Sequence, residues 1–208
     1  MSQVPPPAAN SPYEIHRTVL PAVLNARQLL GEGAEVGVRQ GEFSAHILQN
    51  WKGKKLWLVD AWRDLPGYEE AHHVHEQNYE ITLDKMRAFP GRYEIVRELS
   101  VAAAAKFSDA SLDFIYLDAD HSYESVKADL AAWYPKLKSG GLIAGDDYGA
   151  LPLHVVDFGE GKLTFGVKKA VDEFALQQQK NISIDWLGDW WFGTSIGQIR
   201  ARNWYLIK

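Results

Sequence analysis

The run Leu112-Asp113-Phe114-Ile115-Tyr116-Leu117-Asp118-Ala119-Asp120-His121 decides how this chain is read. Its middle is apolar, rich in β-branched and aromatic side chains, and it breaks off into Asp-x-Asp-His. That composition over that length predicts a strand buried on both faces, as in a parallel sheet. Ligands of open α/β sheets gather at the carboxyl ends of the strands. Two carboxylates and an imidazole at such an end therefore mark the first place to look for chemistry.

The flanks of the run repeat the same unit. After it, Tyr123, Val126, Leu130, Trp133 and Leu137 recur at intervals of three and four, an amphipathic helix that Ser139-Gly140-Gly141 is expected to close. Leu142-Ile143-Ala144 then reads as a short strand ending in Gly145-Asp146-Asp147-Tyr148. Before it, Tyr93 to Leu99 is a strand, followed by Ser100 and a helix over Val101 to Phe107, and Lys55 to Asp60 is a strand ending in an acid. Ala34 to Val38 is a strand that runs into Gly37-Val38-Arg39-Gln40-Gly41, after which Phe43, Ile47 and Leu48 form a helical stripe. A glycine turn lets a ligand approach a helix N-terminus, where amide groups point outward.

Asp60 lies about 20 residues beyond that turn, the interval at which a strand-end acid accepts hydrogen bonds from ribose hydroxyls. A lone acid at a strand end is usually structural; pairing with the glycine turn favours the functional reading. Gly31-x-Gly33 precedes its strand and the third glycine is missing, so it is a weak dinucleotide fingerprint. Strands regularly followed by helices call for a parallel sheet with right-handed crossovers.

Farther out, Met1 to Pro12 carries Pro5-Pro6-Pro7 and reads as an extended arm, leaving 13–208 as a single domain. Pro21 is expected to divide Tyr13 to Leu30 into two helices. Ala61 to Pro90 holds a polar insertion with His72, His73 and His75, then a helix around Tyr79 to Phe89. The histidine spacing lacks the i, i+4 pair of the familiar zinc arrangement, which favours a solvated or lid-like role over metal binding, with substrate contact as the other reading. Leu151 to Phe165 reads as a loop and Val167 to Gln178 as a helix. Ser183 to Phe192 and Asn203 to Ile207 read as two closing strands of an antiparallel hairpin.

Composition narrows the function classes. At 208 residues the chain is long enough for one well-buried domain. A net charge of −5 opposes nucleic acid as the main partner, because displacing counterions needs a basic excess. The absence of cysteine excludes disulfides and thiolate metal sites. No apolar run approaches a membrane span, and the N-terminus lacks the regions of a signal peptide, so the expected location is the cytoplasm, with no membrane partner.

Taken in order, Glu35-x-Gly37-x-x-x-Gly41, Asp60, Leu117-Asp118-x-Asp120-His121-Ser122-Tyr123 and Gly140-Gly141-x-x-x-Gly145-Asp146-Asp147-Tyr148 resemble the class I S-adenosylmethionine-dependent methyltransferases. Within them, they are most similar to a small bacterial family close to the macrolide-sugar and aminocoumarin metal-dependent O-methyltransferases. The resemblance runs from about Gly33 to the C-terminus, through Lys168-Lys169-Ala170-Val171-Asp172-Glu173-Phe174 and the closing Trp204-Tyr205. It implies a Rossmann-like α/β fold: a seven-stranded, mostly parallel sheet with a reversed last strand and helices on both faces. S-adenosyl-L-methionine would lie across the carboxyl ends of the first four strands.

On that resemblance Glu35 and Gly37 lie near the methionine portion of the cofactor, Gly41 also contacts the cofactor, Asp60 holds the ribose, Ser100 sits beside the adenine, and Trp62 is placed to stack on it. Asp118 borders the cofactor. Asp118, Asp146 and Asp147 would hold a divalent metal, Mg²⁺, that binds the acceptor hydroxyl and lowers its pKa. Independently of family, three bare carboxylates on neighbouring strand ends would repel one another, a penalty that a hard cation removes. The alternative is a metal-free site in which these acids contact substrate or the cofactor's amino group.

His121, three residues past Asp118, matches the position of the general base proposed in related sugar methyltransferases, and imidazole titrates near neutrality. One of Asp120, His121 and Ser122, foremost Ser122, is expected to cap the following helix instead. Trp186, Trp190, Trp191 and Phe192 read as core, or as an acceptor wall or homodimer contact. The expected function is methyl transfer to a hydroxyl of a small molecule. The alternatives are a metal-independent methyltransferase for another atom such as nitrogen, a nicotinamide-dependent oxidoreductase, and a non-catalytic binding module.

Overall fold

The computed structural model describes residues 17–63, 72–149, 155–157, 162–164, 166–184, 190–194, 197–201 and 203–208. In chain order, a 3₁₀ turn (Arg17–Val19) leads into α1 (Leu20–Ala26), β1 (Glu32–Val36), α2 (Glu42–Asn50), β2 (Lys55–Asp60), α3 (His72–Met86), β3 (Tyr93–Arg97), α4 (Ser100–Ala104), β4 (Leu112–Leu117) and α5 (Tyr123–Trp133). A second 3₁₀ turn (Tyr134–Lys136) precedes β5 (Leu137–Gly145). The remainder is β6 (Val155–Asp157), β7 (Lys162–Thr164), α6 (Val167–Gln178), β8 (Ser183–Ile184), β9 (Trp190–Thr194), β10 (Gly197–Ala201) and β11 (Trp204–Ile207).

Seven strands form one sheet in the order β3-β2-β1-β4-β5-β11-β8. β3, β2, β1, β4 and β5 are mutually parallel, and β11 runs antiparallel to both β5 and β8. This is the expected mostly parallel sheet with a reversed final strand. The central run is fully buried along β4. From Phe114 to Leu117 its side chains alternate between two apolar clusters: Ile115 and Leu117 join one with Val126, Leu130 and Trp133 of α5, while Phe114 and Tyr116 join the other with Phe43 and Ile47 of α2. Burial on both faces explains why β4 reads as a continuous apolar run instead of an alternating one.

Several local expectations are corrected. Ser139-Gly140-Gly141 does not close α5, which ends at Trp133 ahead of Pro135; these residues lie inside β5. Gly140 has φ +77°, and the β4–β5 register shifts between Leu112 and Phe114, so the glycines form an irregularity that keeps the strand in the sheet. α3 starts at His72, seven residues before the expected Tyr79, so the His72–His75 stretch is helical. The expected closing hairpin is divided: Ser183–Ile184 pairs with β11, while β9 pairs with β10, a strand where a turn was expected. The expected loop Leu151 to Phe165 contains a small antiparallel pair, β6 with β7. The arm Met1 to Pro12, Trp186 and the side chains of His72, His73, Trp190, Trp191 and Phe192 fall outside the described residues.

Candidate active site

Register, more than any single residue, assembles the site. Val36 of β1 lies opposite Val59 of β2 and Leu117 of β4, and Leu117 lies opposite Gly145 of β5. The next residues along, Gly37, Asp60, Asp118 and Asp146, therefore emerge side by side at one edge of the sheet. Parallel strands stand about 4.8 Å apart, so these four span roughly 15 Å.

The glycine turn between β1 and α2 is built as the sequence predicts. Gly37 has φ +93°, and a Cβ there would lie 2.0 Å from the Asp118 carbonyl oxygen, so only glycine lets β1 pass so close to the end of β4. Gly41, at φ +72°, is the N-cap of α2. Asp60 anchors this turn: its Oδ2 accepts from the backbone N–H of Val38 at 2.8 Å and of Arg39 at 2.9 Å, and its Oδ1 accepts from Trp62 N–H at 2.9 Å. A carboxylate has about four acceptor positions, which leaves Asp60 capacity for one further donor.

Trp62 faces elsewhere than the resemblance implies, and the Ser100 hydroxyl is engaged within the chain. The Trp62 ring is 2% exposed, packs on Tyr79 at 4.9 Å and donates its indole N–H to the Arg39 carbonyl. It supports the glycine turn from behind and offers no open face to an adenine. The Ser100 hydroxyl donates to Asp129 and accepts from the Trp133 indole, tying α4 to α5.

Beneath the turn, Glu35 is 1% exposed and accepts a hydrogen bond from the Ser44 hydroxyl. Burial pushes its carboxyl up to about 8, against the opposing effects of Ser44 and Arg17. Asp118 is also held well above the ordinary carboxylate range, by burial and then by the neighbouring Asp146.

Arg17, which no motif marks, sits across the strand ends. Its Nη1 lies 3.2 Å from Asp118 Oδ2 and 3.4 Å from Asp146 Oδ2, and its guanidinium stacks 4.5 Å over the Phe43 ring. The turn that carries it is held by Leu20, wholly buried, and by His46, whose Nε2 donates to the Thr18 carbonyl at 2.8 Å.

The neighbouring loop places His121 Nδ1 3.2 Å from Asp147 Oδ2. Asp147 adopts φ +58°, a conformation that aspartate tolerates better than most residues, and its N–H donates to Asp146 Oδ1 at 2.8 Å. Ser122 is the N-cap of α5, its hydroxyl accepting from Ser125 N–H, and Asp120 accepts from Ser122 N–H. Capping thus claims Ser122 and leaves His121 to the site. Tyr148 belongs to the core, its hydroxyl bonded to Asp172 of α6.

Among the described residues, Asp118, His121 and Asp147 each offer a ligand atom within 4.8 Å of the others. Two carboxylates and an imidazole fit a divalent ion. This group shares Asp118 and Asp147 with the expected ligand set and adds His121; Asp146 Oδ2, like Asp118 Oδ2, faces Arg17.

Residues 34–148, more than half of the chain and the span from β1 to Tyr148, match a family model described as a methyltransferase domain. The chain belongs to this methyltransferase family. Solved structures of similar fold include an O-methyltransferase from Bacillus cereus in complex with SAH (14% identity, TM-score 0.60, 92% of this chain and 80% of that one). Another is the O-methyltransferase TomG from Streptomyces achromogenes, involved in tomaymycin synthesis and in complex with SAM (13% identity, TM-score 0.62, 92% and 79%). An rRNA methylase from Streptococcus thermophilus is also similar (13% identity, TM-score 0.58, 94% and 98%), so this methyltransferase fold alone does not select an acceptor. A curated relative, the uncharacterized protein y4gI of Sinorhizobium fredii, is 24% identical over 124 residues, which is 60% of this chain and 13% of that protein's length.

Proposed function

We propose that this methyltransferase moves the methyl group of S-adenosylmethionine to a hydroxyl of a small molecule. The observation that carries the reading is the in-register row of Gly37, Asp60, Asp118 and Asp146, with the His121–Asp147 pair beside it. The net charge of −5 favours a small acceptor over a nucleic acid.

S-adenosylmethionine supplies the methyl as a sulfonium cation whose C–S bond breaks as the acceptor's C–O bond forms, the electron pair returning to sulfur as a neutral thioether. The chain's own groups suit that charge change. Asp118 and Glu35 lie where carboxylates attract a cation. Asp60, already fixed by three backbone amides, has its remaining acceptor capacity for a ribose hydroxyl. His121 takes the hydroxyl proton, and Asp147 at its Nδ1 orients the ring and stabilises the imidazolium that results. Where a divalent ion is bound instead, Asp118, His121 and Asp147 would hold it, and it would lower the hydroxyl pKa in place of the His121–Asp147 pair.

The test is methyl transfer from S-adenosylmethionine labelled in its methyl group, offered with phenolic, sugar and amine acceptors. Label on a hydroxyl acceptor, reduced at least tenfold in His121→Ala, is the expected result. Label only on amines, or an undiminished rate in His121→Ala, would overturn the acceptor and the base respectively.

A further inference from the structure

A cation is already seated at the acidic strand ends, and it belongs to the chain. Arg17 Nη1 reaches both Asp118 and Asp146, and Phe43 holds the guanidinium plane in place. Asp118 is at the same time one of the three residues whose ligand atoms converge on a site fit for a divalent ion. One carboxylate would therefore have to serve two cations that repel each other. We propose that Arg17 competes with a divalent cation for Asp118: docked, its guanidinium keeps the site metal-free; withdrawn, it frees Asp118 to join Asp147 and His121 around an ion.

The architecture suits such an exchange. Arg17 is the first residue of the 3₁₀ turn, and Leu20 and the Thr18–His46 hydrogen bond anchor the chain just behind it. The side chain can leave without unpacking α1, because its own exposure is 31% and its partners among the described residues are two acids and the ring faces of Phe43 and Tyr116. Asp118 and Asp146 have no comparable freedom: their backbone N–H groups are fixed to Val36 and Leu117 of the neighbouring strands. The acids form the fixed half of the device and Arg17 the movable half. Lysine could supply the charge, but not a plane that stacks on Phe43 while two carboxylates are bridged.

The experiment is titration of the full chain with Mn²⁺, bound and free ion being separated by electron paramagnetic resonance. Arg17→Gln is expected to bind one Mn²⁺ at least tenfold more tightly than the wild type, and the gain is expected to vanish in Arg17→Gln/Asp118→Asn. Equal affinity in the wild type and Arg17→Gln, or a gain that survives loss of Asp118, would overturn the proposal. A second measurement needs no variant: saturating Mn²⁺ should speed modification of Arg17 by phenylglyoxal in the wild type at least threefold, read by peptide mass spectrometry, since a released guanidinium is open to the reagent. Modification at an unchanged rate with Mn²⁺ bound would overturn it equally. Metal binding and methyl transfer are read separately, so a failed methyltransferase assay leaves these tests standing.

Discussion

Replacing Glu35 by glutamine should make the protein more stable, and increasingly so as pH rises. The carboxyl is almost wholly buried, and its pKa in the folded chain is about 8, against 4.5 for the free group. Below pH 4.5 both folded and unfolded chains carry the proton. Between 4.5 and 8 the unfolded chain has released it while the folded chain keeps it, so stability is lost as pH rises through this window, at about 1.4 kcal/mol per pH unit. Integrated over the window, the wild type at pH 8 is penalised by about 4 kcal/mol, and at pH 5 by less than about 1 kcal/mol. Glutamine has nearly the same shape, can still accept from the Ser44 hydroxyl, and does not titrate. Urea unfolding followed by tryptophan fluorescence at pH 5, 6, 7 and 8 should show curves that nearly coincide at pH 5 and diverge steadily. At pH 8 the gap corresponds to roughly 10 °C in Tm for a chain of this size. Parallel pH profiles, or a glutamine variant less stable at pH 8, would refute the assignment of a buried, proton-retaining Glu35.

Other perturbations address the site itself. Gly37→Ala should cost roughly 2–5 kcal/mol, combining a left-handed backbone with a Cβ forced onto the Asp118 carbonyl; denaturant midpoints check this, and a shift below 1 kcal/mol would count against it. Asp147→Asn should lower kcat by about tenfold or more while S-adenosylhomocysteine affinity stays near wild type, because it disturbs the base's orientation and not the donor cradle. A binding loss as large as the rate loss would assign Asp147 to the donor instead. If the proposed donor binds with its sulfonium near Glu35, binding at pH 7 should release protons, since the positive charge favours the ionised carboxylate. Titrations in buffers of different ionisation enthalpy read this directly, and heats independent of buffer would contradict it.

The sequence disclosed the sheet because β4 is buried on both faces and each parallel strand ends in glycine or acid at a readable interval. It disclosed less where backbone geometry overrides composition. Gly140-Gly141 look like a helix terminator, and only the pairing of β5 with β4 shows them to be a strand irregularity. Trp62 looked like a stacking platform from its place after Asp60, but its indole N–H finds the Arg39 carbonyl inside the core. The pairing of His121 with Asp147 joins two loops 26 positions apart, a juxtaposition set by β4 and β5 being neighbours. Arg17 left no trace at all, because one arginine before a proline-containing helix has no pattern; its role arises from where α1 packs against Phe43.

If the carboxyl edge of β1, β2 and β4 cradles the methyl donor, a crystal structure of the chain with S-adenosylhomocysteine will show the ribose hydroxyls against Asp60 and the amino-acid end beside Asp118, above the Gly37–Gly41 turn. A ligand bound at any other edge, or none at saturating concentration, would contradict this placement.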